Sequence, residues 1–253
     1  MGTNIIKISF VIVEYHSVED IISCSSSIKE RISSDLEYEI IVSSNSVYSK
    51  EQQTQLVSLN KNLRWVFNEK NGGFAYAMNQ GLSVASGDIL VIMNPDVRIK
   101  QGIEGMMEFL FLNNNIGIIA PKIVNANGVL QDSFRYFITP WNFLKRHLER
   151  LLMKKRMPLD IQKLEVQEVD WAIGAFMMTT RSAYEKVGGL DDGYFMYCED
   201  MDWCKRMHFH GYSVVYYPQA VIEYEGTRSA RRSWKYAWVF IKSLFRYWSK
   251  YLW

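Results

Sequence analysis

Two short acidic stretches carry the side chains of this chain best able to do chemistry. The longer one is Asp191-Asp192-Gly193-Tyr194-Phe195-Met196-Tyr197-Cys198-Glu199-Asp200-Met201-Asp202-Trp203, which sets five acids in thirteen positions beside Tyr, Phe and Trp rings. It runs into a helix-like segment from Asp202 to His210 that stops at Gly211, a favoured residue just past a helix C-terminus. Acids at a helix start stay ionised because the dipole and the free N–H groups favour their charge. Apolar rings and neighbouring carboxylates push the other way and raise the pKa. A carboxylate held between those pulls suits general-base work. Taken alone, the stretch reads first as helix caps and first-turn acids. The shorter stretch, Asn94-Pro95-Asp96, follows Asp88–Met93, the most buried-looking strand of the chain. A lone carboxylate there can ligate a hard cation such as Mg²⁺ or Mn²⁺, which takes oxygen ligands and bridges carboxylates to phosphates. By itself, Asn-Pro-Asp is also an ordinary turn.

The elements that must position these acids follow from apolar patterning. Strands read at Ile5–Val13, Glu39–Val42, Leu63–Phe67 and Asp88–Met93. Helices read between them: from a capping-box-like Ser17-Val-Glu-Asp20 to about Ile32, near Lys50–Leu59, and through Asn79 to about Ala85. Such alternation predicts an α/β fold, a mostly parallel, doubly wound central sheet flanked by helices. Ligands in these sheets bind beyond the carboxyl ends of the strands. Those ends are Glu14–His16, Ser43–Ser46, Asn68–Gly73 and Asn94–Asp96, and all four are polar. Gln101 to Val169 is less regular, with strands at Ile116–Ala120 and Lys122–Val124. Val166–Met178 reads as a strand, Arg181–Val187 as a short helix closed by Gly188-Gly189, and Ser213–Tyr217 as a strand.

Several chemistries are not supported. Asn71-Gly72-Gly73 would let backbone approach a phosphate or sugar, but it lacks the spacing of a dinucleotide or Walker loop. The four histidines have no zinc-type spacing. Cys24, Cys198 and Cys204 are odd in number and lack disulfide or metal spacing, which favours a reducing compartment. A net charge of +2 over 253 residues gives no case for a nucleic-acid partner. No signal peptide is read at the N-terminus, and no apolar run reaches spanning length. A cytoplasmic location is therefore expected.

The bases concentrate at 145–156 and 228–250. Over Arg231–Leu252, Trp234, Trp238, Ile241, Phe245, Trp248 and Leu252 recur at helical spacing on one side, and Lys235, Lys242, Arg246 and Lys250 fall on another. An aromatic face beside a basic one suits an anionic membrane surface, with Trp141–Arg156 as a supplement. Packing on the domain or against a second subunit, as in a homodimer, is the alternative.

Seven pieces then fall in a telling order: Phe10–Val13; Ile40–Asn45; Asn71–Asn79; Gly87–Asp96; Val169–Ala175; Gly188–Asp192; and Tyr194–Asp202. In that order and spacing they resemble the family 2 glycosyltransferases of the GT-A fold, from Ile8 to about Ser229. The resemblance implies a Rossmann-like catalytic domain over 1–229, followed by an amphipathic helix over 230–253. Asn-Pro-Asp, Val169-Asp-Trp171 and Tyr194–Asp200 look most like the bacterial rhamnosyltransferases. These move L-rhamnose from dTDP-β-L-rhamnose onto O-antigen or cell-wall precursors linked to polyprenyl diphosphate, which implies a peripheral position on the inner face of the plasma membrane. The resemblance also implies roles. Asp96 would hold the divalent cation against the donor diphosphate, and Asp200 would be the base of a single inverting displacement. Glu199 and Asp202 would orient the base or the acceptor. Trp171 and Trp203 would stack on sugar faces, with Gly174 on the acceptor side. The donor would meet Val13, Ser44, Asn45, Gly73, Asn79, Asn94 and Arg228, with Arg231 and Arg232 nearby. Two positions depart from the family. Ser44 stands where an Asp usually contacts the nucleobase, and Glu223 stands where a His often joins the metal or diphosphate. A UDP-hexose-dependent enzyme and a non-catalytic sugar- or lipid-binding protein of the same fold are the rival readings.

Overall fold

The computed structural model describes residues 6–145, 165–226 and 234–251. Its spine is one mixed sheet. Strands β1 (Lys7–Glu14), β2 (Glu37–Ser44), β3 (Leu63–Phe67) and β4 (Ile89–Met93) form a wholly parallel half in the order β3-β2-β1-β4. Helices α1 (Val18–Arg31), α2 (Lys50–Leu59) and α3 (Phe74–Val84) connect them. The register sets Glu14 beside Ser44 and Ser44 beside Phe67, so the polar strand ends finish in one row.

The sheet continues through β10 (Phe176–Thr180), which runs antiparallel between β4 and β6 (Ile116–Val124). Beyond β6 lie β11 (Ser213–Glu223), parallel to it, and then β5 (Arg98–Gln101). The short β8 (Gln167–Glu168) pairs with β11, while β7 (Phe134–Arg135) and β9 (Trp171–Ala172) make a separate two-stranded sheet. Parallel pairings carry most of the ladder.

Both faces of the sheet are covered, because strand residues alternate sides. Ile8, Phe10 and Ile12 face a core shared with α1 and α4 (Ile103–Leu112). Val11 and Val13 face a second core with α3 and α6 (Glu199–Phe209). Each fully buried large side chain contributes roughly 1.5–3 kcal/mol. A short α5 (Arg181–Val187) follows β10, and α7 (Trp234–Tyr251) lays Leu244 and Tyr247 into the second core. Among the described residues no helix is long and apolar enough to cross a membrane.

Local readings differ from the structure in four places. Val166–Met178 is not one strand but β8, β9 and part of β10. Asp170 accepts the Phe137 N–H at 2.9 Å and Gly174 gives its N–H to Asp200, so the chain leaves the ladder twice. The start of the less regular Gln101–Val169 stretch forms the end of β5 and then α4, whose buried Ile103, Met106, Met107 and Leu110 are hidden in the sequence among apolar neighbours. The strand at Ser213 does not stop at Tyr217. It passes Pro218 and resumes pairing after a register shift, since proline cannot donate to the ladder.

Helix α1 has no side-chain cap. Ser17 accepts weakly from Tyr15 N and gives its own N–H to Glu14, and the reciprocal box forms instead between Ser49 and Gln52 on α2. Residues 140–145 are helical, and the rest of the basic 145–156 run lies outside the described residues. Ser49→Ala should therefore cost about 1 kcal/mol in denaturant unfolding, and Ser17→Ala should cost less.

Candidate active site

The acidic stretch is shaped by a strained turn. Tyr197 and Cys198 adopt φ of 71° and 67°, two consecutive non-glycine residues in the left-handed region. Each such residue costs about 1–3 kcal/mol and persists only where its surroundings over-determine it. The turn swings the chain into α6, whose first turn carries Glu199, Asp200 and Asp202. Asp200 Oδ2 accepts the Gly174 N–H at 2.9 Å, and Oδ1 accepts the Met201 N–H at 2.8 Å. A Cβ at Gly174 would sit 3.0 Å from Asp200 Cβ, so only glycine allows this approach without displacement. Burial lifts the Asp200 pKa above the ordinary carboxylate range, against the pull of those N–H groups and of Arg135.

Glu199 is the more extreme of the two. It is buried, its Oε2 has no partner, and burial followed by the neighbouring Asp200 charge raises its pKa well above normal. Of the pair, Glu199 is pushed further toward its protonated form. A neutral carboxyl beside an ionised one is how adjacent acids divide two roles.

Asp96 lies in the turn after β4, closed by Val97 N to Asn94 O at 3.3 Å. Its carboxyl is raised by burial and by Asp20, against its own backbone N–H and Arg98. Backbone links tie this turn to the Asp200 support: Asn94 N donates to Ala175 O at 2.9 Å, and Ala175 follows Gly174. The phenol of Tyr224 accepts from Asn94 Nδ2 at 3.1 Å. Burial, Asp96 and, among smaller influences, Asp200 push its pKa up to about 12. Through Asn94 and Ala175 the turn bearing Asp96 is tied to the backbone that holds Asp200.

The rest of the expected set divides. Ser44 is buried and gives its hydroxyl to Glu14 Oε2 at 2.5 Å. Glu14, which the sequence reading did not single out, also collects Ser46, Tyr48 and the Ser17 N–H, so it orients the hydroxyls at this strand end. Val13 is buried in the second core, paired with Ser43 in the ladder. Asn45 is committed to the fold, joining Gly73 O at 3.0 Å and Asn68 at 3.0 Å. Gly73, at φ 94°, lies against the Phe195 backbone, where any Cβ would overlap it. It thereby fastens the start of α3 to the acidic stretch. Asn79 is not free for a donor, because its amide binds both the N–H and the C=O of Leu190 at 2.9 and 2.7 Å.

Three acceptor-side expectations are corrected. Trp203 is core, fully buried, with its indole N–H on Gly188 O. Trp171 is buried, with its N–H on Tyr136 O and Arg135 over its ring. Asp202 is fully buried and turned away from the cleft. It accepts from Arg206, Tyr194, Lys250 and Tyr251, a full complement for one carboxylate.

Glu223, expected as a metal ligand, pairs with Lys100 at 2.9 Å. Arg228, Arg231 and Arg232 lie outside the described residues. Among the described residues no three His, Cys, Asp or Glu side chains gather as ligands. The half-buried Asp96, stabilised as an anion by its own N–H and the Arg98 charge, fits a cation held by one carboxylate and substrate phosphates rather than a protein cage. Arg135 and Tyr224 were missed. Both sit in stretches whose pattern gives no hint that the fold folds them over the acids.

The fold is shared with enzymes that handle nucleotide sugars. A structure of GalNAc-T7 with UDP, GalNAc and Mn²⁺ superposes at a TM-score of 0.66 and 14% identity, covering 88% of this chain and 44% of that one. The glycosyl transferase family 2 model matches residues 9–204, and the chain belongs to that family. Its relatives include the low-salt glycan biosynthesis hexosyltransferase Agl10 of Haloferax volcanii, 26% identical over 79% of this chain and 61% of that protein. Another is an N-acetylglucosaminyl-diphospho-decaprenol L-rhamnosyltransferase of Mycobacterium tuberculosis, 28% identical over 57% of this chain and 49% of that protein. The chain thus spans about half to three-fifths of these relatives' length.

The protonated Glu199 has a consequence for stability. Because folding raises its pKa, the folded chain binds this proton more tightly than the unfolded one. Stability is then lost as pH rises from the unfolded value, about 4.3, through the folded one. Glu199→Gln cannot ionise, so its melting temperature should exceed that of the wild type by about 2–4 °C near pH 8. The two should converge near pH 4, as calorimetry would show.

Proposed function

We propose that the chain transfers L-rhamnose from dTDP-β-L-rhamnose to a hydroxyl of a saccharide carried on a polyprenyl diphosphate. The reading is supported by one observation above the others: within a family 2 fold, the turn bearing Asp96 is hydrogen-bonded through Asn94 N–H to Ala175 O, next to the Gly174 whose N–H holds Asp200. Asp200 takes the proton of the acceptor hydroxyl as that oxygen bonds to the anomeric carbon. The bond from that carbon to the diphosphate oxygen breaks in the same displacement, and configuration inverts. Base catalysis of this kind contributes about 10²–10⁴-fold. The raised pKa of Asp200 suits it to hold a proton in the transition state, and Gly174 and Met201 fix its two oxygens.

Asp96 is the residue that would hold Mg²⁺ or Mn²⁺, whose charge would offset that of the departing diphosphate. Glu14, with Ser44, Ser46 and Tyr48, forms the polar strand end where the donor nucleoside is read. The name of the Mycobacterium relative supports this acceptor class, and a lipid-linked acceptor would put the reaction at a membrane surface, expected to be the cytoplasmic face. A UDP-hexose donor is the second reading, favoured by the Haloferax relative. Nucleic acid has no part in either.

A thermal-shift panel separates the donors, since a ligand binding only the folded state raises its melting temperature. dTDP-rhamnose with Mn²⁺ should give the largest shift, and a larger one from a UDP-hexose overturns the first reading. Asp200→Asn should lower transfer about a thousandfold while leaving the dTDP shift in place. Asp96→Ala should remove the part of that shift that depends on Mn²⁺.

A further inference from the structure

Helix α7 has two working faces. The inward face meets the acidic stretch along its whole length. Ser243 Oγ donates to Met196 O at 2.8 Å, and Phe240 meets Tyr197 edge-on at 5.9 Å. Arg246 pairs with Asp191 at 2.9 Å and lies over the Tyr194 ring. Lys250 joins Asp191 at 2.9 Å and Asp202 at 2.7 Å, and the Tyr251 hydroxyl reaches Asp202 at 2.9 Å. The two left-handed residues and the first turn of α6 are thus bracketed from one side by a single helix. This corrects the reading of Arg246 and Lys250 as lipid-facing bases, since both are spent on the domain.

The outward face is apolar and uncovered. Trp234, Trp238, Ile241 and Phe245 stand at successive turns, 93%, 69%, 39% and 62% exposed. Residues 140–145 extend the patch. Phe143 packs edge-on against Trp248, and Trp141 and Leu144 beside it are 80% and 50% exposed. The exposed Lys235 and Lys242 flank the stripe. From Gly226 to Trp253 the sequence holds seven bases and no acid. A second copy docking face to face by two-fold symmetry would bring Lys235 and Lys242 against the same like charges of its partner. An anionic bilayer complements them while taking Trp and Phe into its headgroup boundary.

We propose that α7 couples the transfer site to an anionic lipid surface: its outward stripe docks on the bilayer, and its inward face then fixes the strained turn that aims Asp200. Docking favours the seated helix, so it raises the population in which the turn is held. The catalytic consequence rests on Asp200 being the base, whereas the docking and the ordering of the turn do not.

The test uses the full chain with vesicles of phosphatidylcholine, alone or with about 30 mol% phosphatidylglycerol. Flotation should occur with the anionic vesicles only, and hydrogen exchange over 191–200 should slow on them. Transfer to a soluble acceptor should rise at least about fivefold. Trp238→Ser with Phe245→Ser, both exposed, should abolish flotation and bring the with-to-without-vesicle rate ratio to one. Lys250→Met with Tyr251→Phe should leave flotation intact, cancel the slowed exchange and lower kcat at an unchanged donor KM. Equal flotation on neutral vesicles, or none, overturns the docking, as does light scattering that shows the stripe holding a dimer. Flotation with unchanged exchange over 191–200 overturns the coupling even if no donor is ever turned over. Slowed exchange with no transfer from any donor leaves the coupling standing and counts against the rhamnosyltransferase reading.

Discussion

The N–H of Gly174 held at 2.9 Å against Asp200 is the contact through which two distant parts of the chain become one site. On one side of it is the β9–β10 connection, whose next residue, Ala175, receives the Asn94 N–H and so anchors the turn bearing Asp96. On the other is a helix start reached through two left-handed residues. A charged-acceptor hydrogen bond of this kind is worth more than a neutral one and sets direction as well as distance. It also offsets part of the burial that raises the Asp200 pKa, which keeps that acid the more ionisable of the Glu199–Asp200 pair.

Parallel register does the corresponding work on the donor side. Because Glu14, Ser44 and Phe67 end abreast, one carboxylate at the end of β1 can collect hydroxyls from Ser44, Ser46 and Tyr48. Glu14 turns these three hydroxyl protons inward, while Ser44 and Ser46 also accept backbone N–H groups from Ser46 and His16, so the strand end is held as one network. Ser44 thus stands in a network that already contains a carboxylate, supplied from the neighbouring strand. The family's usual aspartate at position 44 would put a second negative group against Glu14, and like charges at that separation are costly.

How much of this was legible in the sequence depends on the range of the interaction. The first four strands and their helices were readable because their apolar runs are local signals, and the resemblance of the Asp88–Asp96 and Tyr194–Asp202 stretches was carried by contiguous residues. Asp96 and Asp200 could be named on that basis. What failed were side chains whose roles depend on what folds over them. Asn79 carries the same amide whether it binds a donor or, as here, clamps Leu190 across more than a hundred residues. Trp203 and Asp202 sit three and two positions beyond Asp200, yet helical periodicity points them into the core and toward α7. Arg135 and Tyr224 were invisible for the converse reason, since neither belongs to a motif and each reaches the acids only through sheet topology.

The fate of Asp202 bears on why the stretch is so acidic. Five acids in thirteen positions look redundant for a reaction that needs one base. Asp191 and Asp202 are consumed by α7, Asp200 by the backbone of the β9–β10 connection, and Glu199 is left neutral in an apolar setting. Neutralising Asp191 and Asp202 with Arg246 and Lys250 removes two negative charges from the vicinity of Asp200. Without those cations, such charges would push the buried carboxyls at the start of α6 further toward their protonated forms. The amphipathic helix is therefore more than an appendage. Its inward cations offset the charge of Asp191 and Asp202, two acids of the cluster that contains Asp200.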